Sequence, residues 1–191
     1  DRASRTRLEA VQRELSERHA IRKDDDSPVT IADFAAQAVV HRVLRDALGP
    51  QRFLAEEHSG YLRDPARVRL LLSAVNAARL VWPDCTGDAF LDSIDQGLID
   101  HDHAGDRPER FWTLDPIDGT RGFIRGKQYS VCLALIEHGR VVLSALACPN
   151  LSSDQRRSID DPDPHGVIFL ASADGPVRVA PCDQPPGRAS V

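Results

Sequence analysis

Residues 111–123, FWTLDPIDGTRGF, constrain the fold of this chain more than any other part of its sequence. The stretch begins with an apolar run that predicts a buried strand. Pro116 has no amide hydrogen for a sheet ladder and Gly119 permits a sharp turn, so we expect the strand to stop abruptly there. The sequence therefore predicts that Asp115 and Asp118 are held on a rigid turn at the end of a strand.

Two interpretations of this turn are open. Two carboxylates fixed close together suit hard divalent cations, which take oxygen ligands. The alternative is a strand followed by an ordinary Asp-Pro turn, since the DPxD pattern alone does not distinguish the two. Other carboxylates at strand ends or helix starts would decide in favour of a metal site.

Composition limits the function classes. The chain has 191 residues, of which 41% are hydrophobic and 28% charged, as in a globular protein of one domain or two small ones. A formal net charge of -5 argues against a polymeric nucleic-acid partner. No apolar run is long enough to span a bilayer, so we expect no membrane partner. Nothing in the sequence indicates the oligomeric state.

The cysteines are widely spaced and form no CxxC pair, which makes a zinc site or a disulfide framework a poor interpretation. We expect reduced thiols in an intracellular, cytoplasmic protein. The residues concerned are Cys85, Cys132, Cys148 and Cys182.

The first half of the chain has helical periodicity. Residues 4–20 predict an amphipathic helix, and a second helix should begin at the capping box formed by Thr30 and Asp33 and run to about Leu48. The carboxylate of Asp33 has two compatible interpretations: it caps this helix, or it is fixed by the helix start and points into a site. A further helix should open at Asp64 and the proline that follows it.

Strand-like segments surround these helices. Residues 52–60 contain a short predicted strand that ends in the pair Glu56-Glu57. Residues 84–110 show little periodicity and predict an irregular excursion. Four β-rich runs follow the central motif, at residues 129–136, 141–147, 167–171 and 177–180. Helices first and an antiparallel run afterwards predict an α+β fold. We assign residues 1–150 to an N-terminal α+β region and residues 151–191 to the start of a second region.

Three blocks of this sequence resemble the inositol monophosphatase superfamily of magnesium-dependent, lithium-sensitive phosphomonoesterases. They are SPVTIAD at 27–33, AEE at 55–57 and DPIDGT at 115–120, in this order. The longer run at 110–151 is most similar to the 3'(2'),5'-bisphosphate nucleotidases of that superfamily. The resemblance covers residues 8–180 approximately, and it implies a layered α/β sandwich.

The resemblance also implies roles for individual residues. Glu56, Asp115 and Asp118 would be carboxylate ligands of Mg²⁺, and the main-chain carbonyl of Ile117 would complete one coordination sphere. Asp33 and Thr120 would be the catalytic pair that orients and deprotonates the attacking water. The main-chain amides of Gly119 and Thr120 would lie against the phosphate of a small phosphorylated nucleotide.

The implied reaction is removal of the 3'-phosphate from adenosine 3',5'-bisphosphate and its 5'-phosphosulfate relative. Alternatives are an inositol-monophosphate or fructose-1,6-bisphosphate phosphatase, or a non-catalytic metal- or nucleotide-binding module. Two departures from the family pattern stand out: Ala55 replaces the usual Gly, and no Trp-Asp block follows near the C-terminus. We therefore expect that most of the C-terminal α/β region is absent from this chain.

Overall fold

The fold is built on one six-stranded sheet with helices packed against it. The computed structural model describes residues 21–22, 28–99, 108–154 and 156–184. The strands, in chain order, are β1 (Ile21–Arg22), β2 (Pro28–Val29), β3 (Phe53–Ala55), β4 (Arg110–Asp118), β5 (Ser130–Glu137), β6 (Arg140–Cys148), β7 (Val167–Ser172) and β8 (Arg178–Ala180). The helices are α1 (Ile31–Leu48), α2 (Val68–Ala78), α3 (Gly87–Asp95) and α4 (Thr120–Ile124), with single 3₁₀ turns at Ser59–Tyr61 and Pro65–Arg67.

The strand order in the large sheet is β3-β4-β5-β6-β7-β8, while β1 and β2 form a separate antiparallel pair. β3 runs parallel to β4, and every later neighbour in the large sheet is antiparallel. The predicted α+β class is thus confirmed. β7 and β8 continue the same sheet past residue 150, and the division of the chain at that residue stays a prediction.

The start of α1 follows the predicted capping box. The Thr30 hydroxyl oxygen accepts a hydrogen bond from the Ala32 amide at 3.2 Å. In return, the Asp33 carboxylate accepts from the Thr30 amide and from the Thr30 hydroxyl, each at 2.7 Å. These bonds satisfy amide groups that have no partner within a helix, which explains why α1 begins at Ile31.

Helices α1, α2 and α3 share the largest hydrophobic cluster. Phe34 of α1, Val75 of α2 and Phe90 of α3 are each at most 2% exposed. A second cluster joins Phe53 and Trp112 of the sheet to Leu135 of β5, with Leu44 of α1 packed against it. Burial of these aromatic and aliphatic groups is the main stabilising contribution, because it removes apolar area from water.

Two expectations are wrong. Residues 84–110 do not form a purely irregular excursion, because α3 lies within them; its N-cap Thr86 accepts a hydrogen bond from Ala89, and Phe90 and Ile94 are buried. In addition, β4 does not end before Asp115 but continues to Asp118. The helix predicted for residues 4–20 lies outside the described residues. In the described part of the chain, no helix combines the length and apolar character needed to cross a bilayer.

His41 is a fully buried titratable side chain between α1, β3 and α3. Its ring stacks on Phe53 with centroids 3.8 Å apart, and Nδ1 lies 2.9 Å from the Ser93 carbonyl oxygen. Within the described residues Nε2 has no hydrogen-bond partner. Burial lowers the pKa of His41 to about 4, so the ring is neutral near pH 7 and its Nδ1–H donates to Ser93.

Acid should destabilise the fold through His41. Its pKa is lower in the folded state than the ordinary value of 6.5, so the unfolded chain takes up the proton first. The stability contributed by the neutral ring is complete above that ordinary value and is lost as the pH falls toward 4. The full loss is about 3 kcal/mol. Urea unfolding at pH 7 and pH 4.5 should show a smaller pH dependence for His41→Leu than for the wild type; equal dependence in both would contradict the assignment.

Candidate metal centre

The carboxyl end of β3 lies beside β4. β3 and β4 are parallel, with Ala55 opposite Leu114 in the register. The next residues along the chain, Glu56 and Asp115, therefore lie side by side where β3 ends, while β4 continues to Asp118. The Glu56 side chain is exposed and Asp115 is half-buried. The parallel pairing of β3 with β4 thus supports the prediction that Glu56 and Asp115 belong to one site.

A β-bulge places Asp115 and Asp118 on the same face of the sheet. Asp115 pairs with Cys132 and Asp118 pairs with Ser130, so β4 has one residue more than β5 between these two pairs. In a regular strand, residues three apart point to opposite faces. Because Cys132 and Ser130 are two apart on β5, they share a face, and the extra residue on β4 brings both aspartates to that face.

Pro116 explains why the bulge occurs at this position. It lies in an interior strand of the sheet, where a residue without an N–H group is tolerated at a bulge. Its side chain is fully buried. Pro116, which was predicted to end the strand, therefore lies within β4 at the point where the register shifts.

Electrostatics around Cys132 agree with this placement of the two carboxylates. Burial raises the pKa of the Cys132 thiol, a hydrogen bond with Ser130 lowers it, and the negative charges of Asp118 and Asp115 raise it further. The Ser130 hydroxyl also donates to Asp118 Oδ2 at 3.3 Å. Both aspartates thus lie within electrostatic reach of one thiol.

The turn after β4 is tight. Gly119 has a φ of +84°, in the left-handed region that favours glycine, and α4 begins at the next residue. The Thr120 hydroxyl donates to the carbonyl oxygen of Ile117 at 3.1 Å. A carbonyl oxygen has two lone pairs, so that of Ile117 keeps one for a further partner.

The start of α1 packs against this turn. Ala32 shares a small apolar cluster with Ile117 and Phe123, and the neighbouring Asp33 is 2% exposed. Asp33 therefore lies at a helix start that packs against the turn, and the interpretation that its carboxylate points into a site stays a prediction. Its capping role is confirmed by the bonds to Thr30, and its predicted pairing with Thr120 stays a prediction.

The carboxylates do not form a closed cluster. In the described ranges, no three or more His, Cys, Asp and Glu side chains are grouped so that they could hold a metal ion. The bulge places Asp115 and Asp118 on one face of the sheet. The parallel pairing of β3 with β4 places Glu56 next to Asp115. The predicted ligand roles of these residues and of Ile117 therefore stay predictions, as do the phosphate contacts of Gly119 and Thr120.

Sequence reasoning missed Gln37 and misread Glu57. Glu56 and Glu57 looked like one acidic pair, but only Glu56 is exposed; Glu57 is 2% exposed and lies beneath α1. Gln37 is fully buried and is hydrogen-bonded to the main chain of Glu57. The available signal was a polar residue on the apolar face of α1, one turn after Asp33.

Gly122 allows the turn to pack on the segment that leads into β5. A Cβ atom at this position would lie 2.0 Å from the Gln128 carbonyl oxygen, a distance that no real Cβ contact shows. The Gly122 carbonyl also accepts a hydrogen bond from the Lys127 amide at 2.8 Å. A side chain here would push α4 away from residues 127–128.

Gly122→Ala should therefore destabilise the protein by about 2–3 kcal/mol, the upper part of the range for overpacking. Urea unfolding gives the free energy of unfolding directly. The matched control is Gly60→Ala, because nothing lies within 4 Å of a Cβ atom at Gly60 and its φ is not in the left-handed region. Equal stabilities for the two variants would contradict the steric argument.

Comparison with known proteins defines the class of this chain. It belongs to the inositol monophosphatase family, whose family model matches residues 2–159. It is 40% identical over 167 residues to the 3'(2'),5'-bisphosphate nucleotidase of Schizosaccharomyces pombe, an alignment covering 83% of this chain and 46% of that protein. It is 39% identical over 176 residues to 3'(2'),5'-bisphosphate nucleotidase 1 of Arabidopsis thaliana, covering 85% and 49%.

These matches confirm the resemblance read from the three sequence blocks. The chain spans about half the length of the curated relatives it matches. A solved IMPase/NADP phosphatase complexed with Mg²⁺ and phosphate aligns with 93% of this chain and 46% of its own, with 17% identity and a TM-score of 0.49. A structural likeness at that level supports no transfer of ligands.

Proposed function

We propose that the protein is a magnesium-dependent 3'(2'),5'-bisphosphate nucleotidase that removes the 3'-phosphate from adenosine 3',5'-bisphosphate and from its 5'-phosphosulfate relative. The observation that carries the proposal is the bulge in β4, which sets Asp115 and Asp118 on one face beside the strand end that carries Glu56. The names of relatives about 40% identical to this chain support the choice of substrate.

The donor set has the chemistry that Mg²⁺ prefers. Asp115, Asp118 and Glu56 supply carboxylate oxygens, and Ile117 supplies a main-chain carbonyl. Carboxylates repel one another unless a cation lies among them. We therefore expect the exposed side chains of Glu56 and Asp118 to turn toward Asp115 when Mg²⁺ binds. Bound Mg²⁺ would neutralise charge on the phosphoryl oxygens and lower the pKa of the attacking water.

Asp33 and Thr120 are assigned the proton transfer. The Thr120 hydroxyl currently donates to the Ile117 carbonyl, so rotation about its Cα–Cβ bond frees it to accept a proton from water and to pass its own to Asp33. The capping bonds from Thr30 to Asp33 hold that carboxylate in place at the start of α1. A neutral hydroxyl between water and carboxylate adds no charge to an acidic site.

The phosphate is assigned to the main chain at the start of α4. The first amides of a helix have no carbonyl partner within it, so they are free to donate to an anion. Gly119 is the N-cap and Thr120 the first residue of α4, so their amides stand at the start of this helix. Phosphate-monoester hydrolysis is extremely slow without catalysis, so the site must both position the ester and neutralise its charge.

The partner is proposed to be the small phosphorylated nucleotide itself. We also propose a cytoplasmic location, where thiols such as those of the four free cysteines stay reduced. Inositol monophosphate and fructose 1,6-bisphosphate are the competing substrates, because the same carboxylates and helix start serve any phosphomonoester.

The test is phosphate release by the natural full-length protein in a panel of three substrates. We expect turnover of adenosine 3',5'-bisphosphate with Mg²⁺, no turnover after the metal is removed with a chelator, and slower release from inositol monophosphate and fructose 1,6-bisphosphate. Faster phosphate release from inositol monophosphate or fructose 1,6-bisphosphate would identify that compound as the substrate instead. Mg²⁺ binding without phosphate release from any of the three substrates would show that the protein is a binding module and not an enzyme.

A further inference from the structure

We propose that Gln37 is a positioning residue for the metal centre: its buried carboxamide fixes the main chain beside Glu56 and so sets where that carboxylate can reach. The inference rests on the proposed function, because it takes Glu56 to be a ligand of Mg²⁺. Gln37 does not itself reach the ligand position. It acts through the main chain of Glu57, the residue that follows Glu56.

The contacts of Gln37 use both ends of its amide. Its Nε2 donates to the Glu57 carbonyl oxygen at 2.6 Å and to the Ile94 carbonyl oxygen at 3.2 Å. Its Oε1 accepts from the Glu57 amide at 3.0 Å. The side chain is 0% exposed, so no water competes for these bonds. The peptide groups on both sides of Glu57 are therefore tied to α1, and α1 is tied to the end of α3.

Only an amide side chain fits this arrangement. Two carbonyl oxygens require two N–H donors, and one main-chain amide requires an acceptor. A carboxylate at this position would set an oxygen against the carbonyls of Glu57 and Ile94, and an apolar residue would remove three buried hydrogen bonds. The pattern explains why a polar residue stands on the apolar face of α1.

The segment that follows Glu57 is also held by α3, through Ser59. The Ser59 amide donates to Asp95 Oδ1 at 2.8 Å, and the Ser59 hydroxyl donates to Asp95 Oδ2. Burial opposes ionisation of Asp95, but hydrogen bonds from Ser59 and Arg63 outweigh it and hold its pKa below the usual range. Residues 57–59 are thus clamped from α1 and α3, and Glu56 is the first residue outside the clamp.

This clamp restrains the main chain next to Glu56. Partners that fix the geometry of a metal ligand typically change metal affinity by about 10–100-fold when they are removed. Removing the Gln37 amide should release the peptide groups at Glu57, so the Glu56 carboxylate would have to be ordered when the ion binds. We expect Mg²⁺ affinity to fall by about 10-fold.

The test compares Mg²⁺ binding, by calorimetry at pH 7, for the natural full-length protein as wild type and for its variants Gln37→Met and Ser93→Ala. Met is unbranched and close to Gln in volume, so it fills the same space without the amide. Ser93→Ala is the matched control: the Ser93 hydroxyl donates a buried hydrogen bond from α3 to the Ala38 carbonyl of α1 at 2.9 Å. Within the described part of the chain, this hydroxyl makes no hydrogen bond to residues 56–59. We expect affinity to fall in Gln37→Met and to stay within about 2-fold of wild type in Ser93→Ala.

A second measurement keeps the test decisive if Gln37→Met does not fold. In the wild-type protein, saturating Mg²⁺ should slow hydrogen exchange of the Glu57 amide several-fold, because coupling between the clamp and the ion is reciprocal. The Trp82 amide, bonded to the Ala78 carbonyl at 2.8 Å within the helical layer, should be unaffected.

The outcomes separate the two levels of the proposal. No Mg²⁺ binding by the wild-type protein would overturn the metal role of Glu56 and, with it, the proposed function. Binding of equal strength by the wild type and Gln37→Met would overturn only the positioning role, as would equal losses in Gln37→Met and Ser93→Ala. Unchanged exchange of the Glu57 amide on Mg²⁺ saturation would also overturn it.

Discussion

Asp115→Asn should lower phosphate release from adenosine 3',5'-bisphosphate by at least about 10³-fold at saturating Mg²⁺. Changes to groups that merely orient a ligand already cost about 10–100-fold, and this change removes the charge of a proposed ligand itself. Asn keeps the size of the side chain and its place on the bulge, so the fold has little reason to change. The expected loss corresponds to about 4 kcal/mol of transition-state stabilisation.

The measurement is the initial rate of phosphate release by the full-length variant, with its thermal unfolding recorded in parallel. Asp174→Asn is the control, since this aspartate lies exposed between β7 and β8, at the end of the sheet opposite β3. It makes the same change of charge without approaching the site. An unreduced rate in Asp115→Asn, or an equal reduction in Asp174→Asn, would contradict the assignment of Asp115.

Local chemistry made part of this fold predictable. The capping box at Thr30 and Asp33 set the start of α1, and Gly49 at its end has the positive φ that stops a helix. The turn that joins β5 to β6 is likewise local, because His138 and Gly139 both have the positive φ of a two-residue hairpin turn. In each case the deciding interactions join residues that are close in sequence, so the sequence pattern is enough.

Helix α3 was missed for the opposite reason. Its polar residues and the Gly- and Asp-rich sequence around it hide the apolar face, which consists of Phe90, Leu91 and Ile94. That spacing and the N-cap Thr86 were readable signals. What makes the segment helical is burial of this face against α1 and α2, which no local pattern reveals.

The arrangement of the site depends on contacts between distant parts of the chain. The bulge that aligns Asp115 with Asp118 follows from pairing with β5, and the separation of Glu56 from Glu57 follows from Gln37, twenty residues earlier. The sequence named the candidate residues, and their roles stay predictions. It could not show which face each would take, because register and burial are properties of the folded chain.

Phe90 shows how strongly the site depends on that missed helix. Its ring is 0% exposed in the cluster shared by α1, α2 and α3. The C-terminal turn of the same helix supplies the Ile94 carbonyl to Gln37 and the Asp95 carboxylate to Ser59. Loss of packing at Phe90 should therefore lower the free energy of unfolding and also increase the mobility of residues 57–59, next to Glu56.

We expect Phe90→Ala to reduce the free energy of unfolding by about 3–5 kcal/mol, through lost apolar burial and the cavity left behind. For a chain of this size that lowers the melting temperature by about 10 °C. Leu72→Ala, on α2, is the control: its side chain is 56% exposed, so the change should be small. The measurement is the melting temperature of both variants by calorimetry. A decrease in Phe90→Ala as small as that in Leu72→Ala would show that α3 does not contribute to this core.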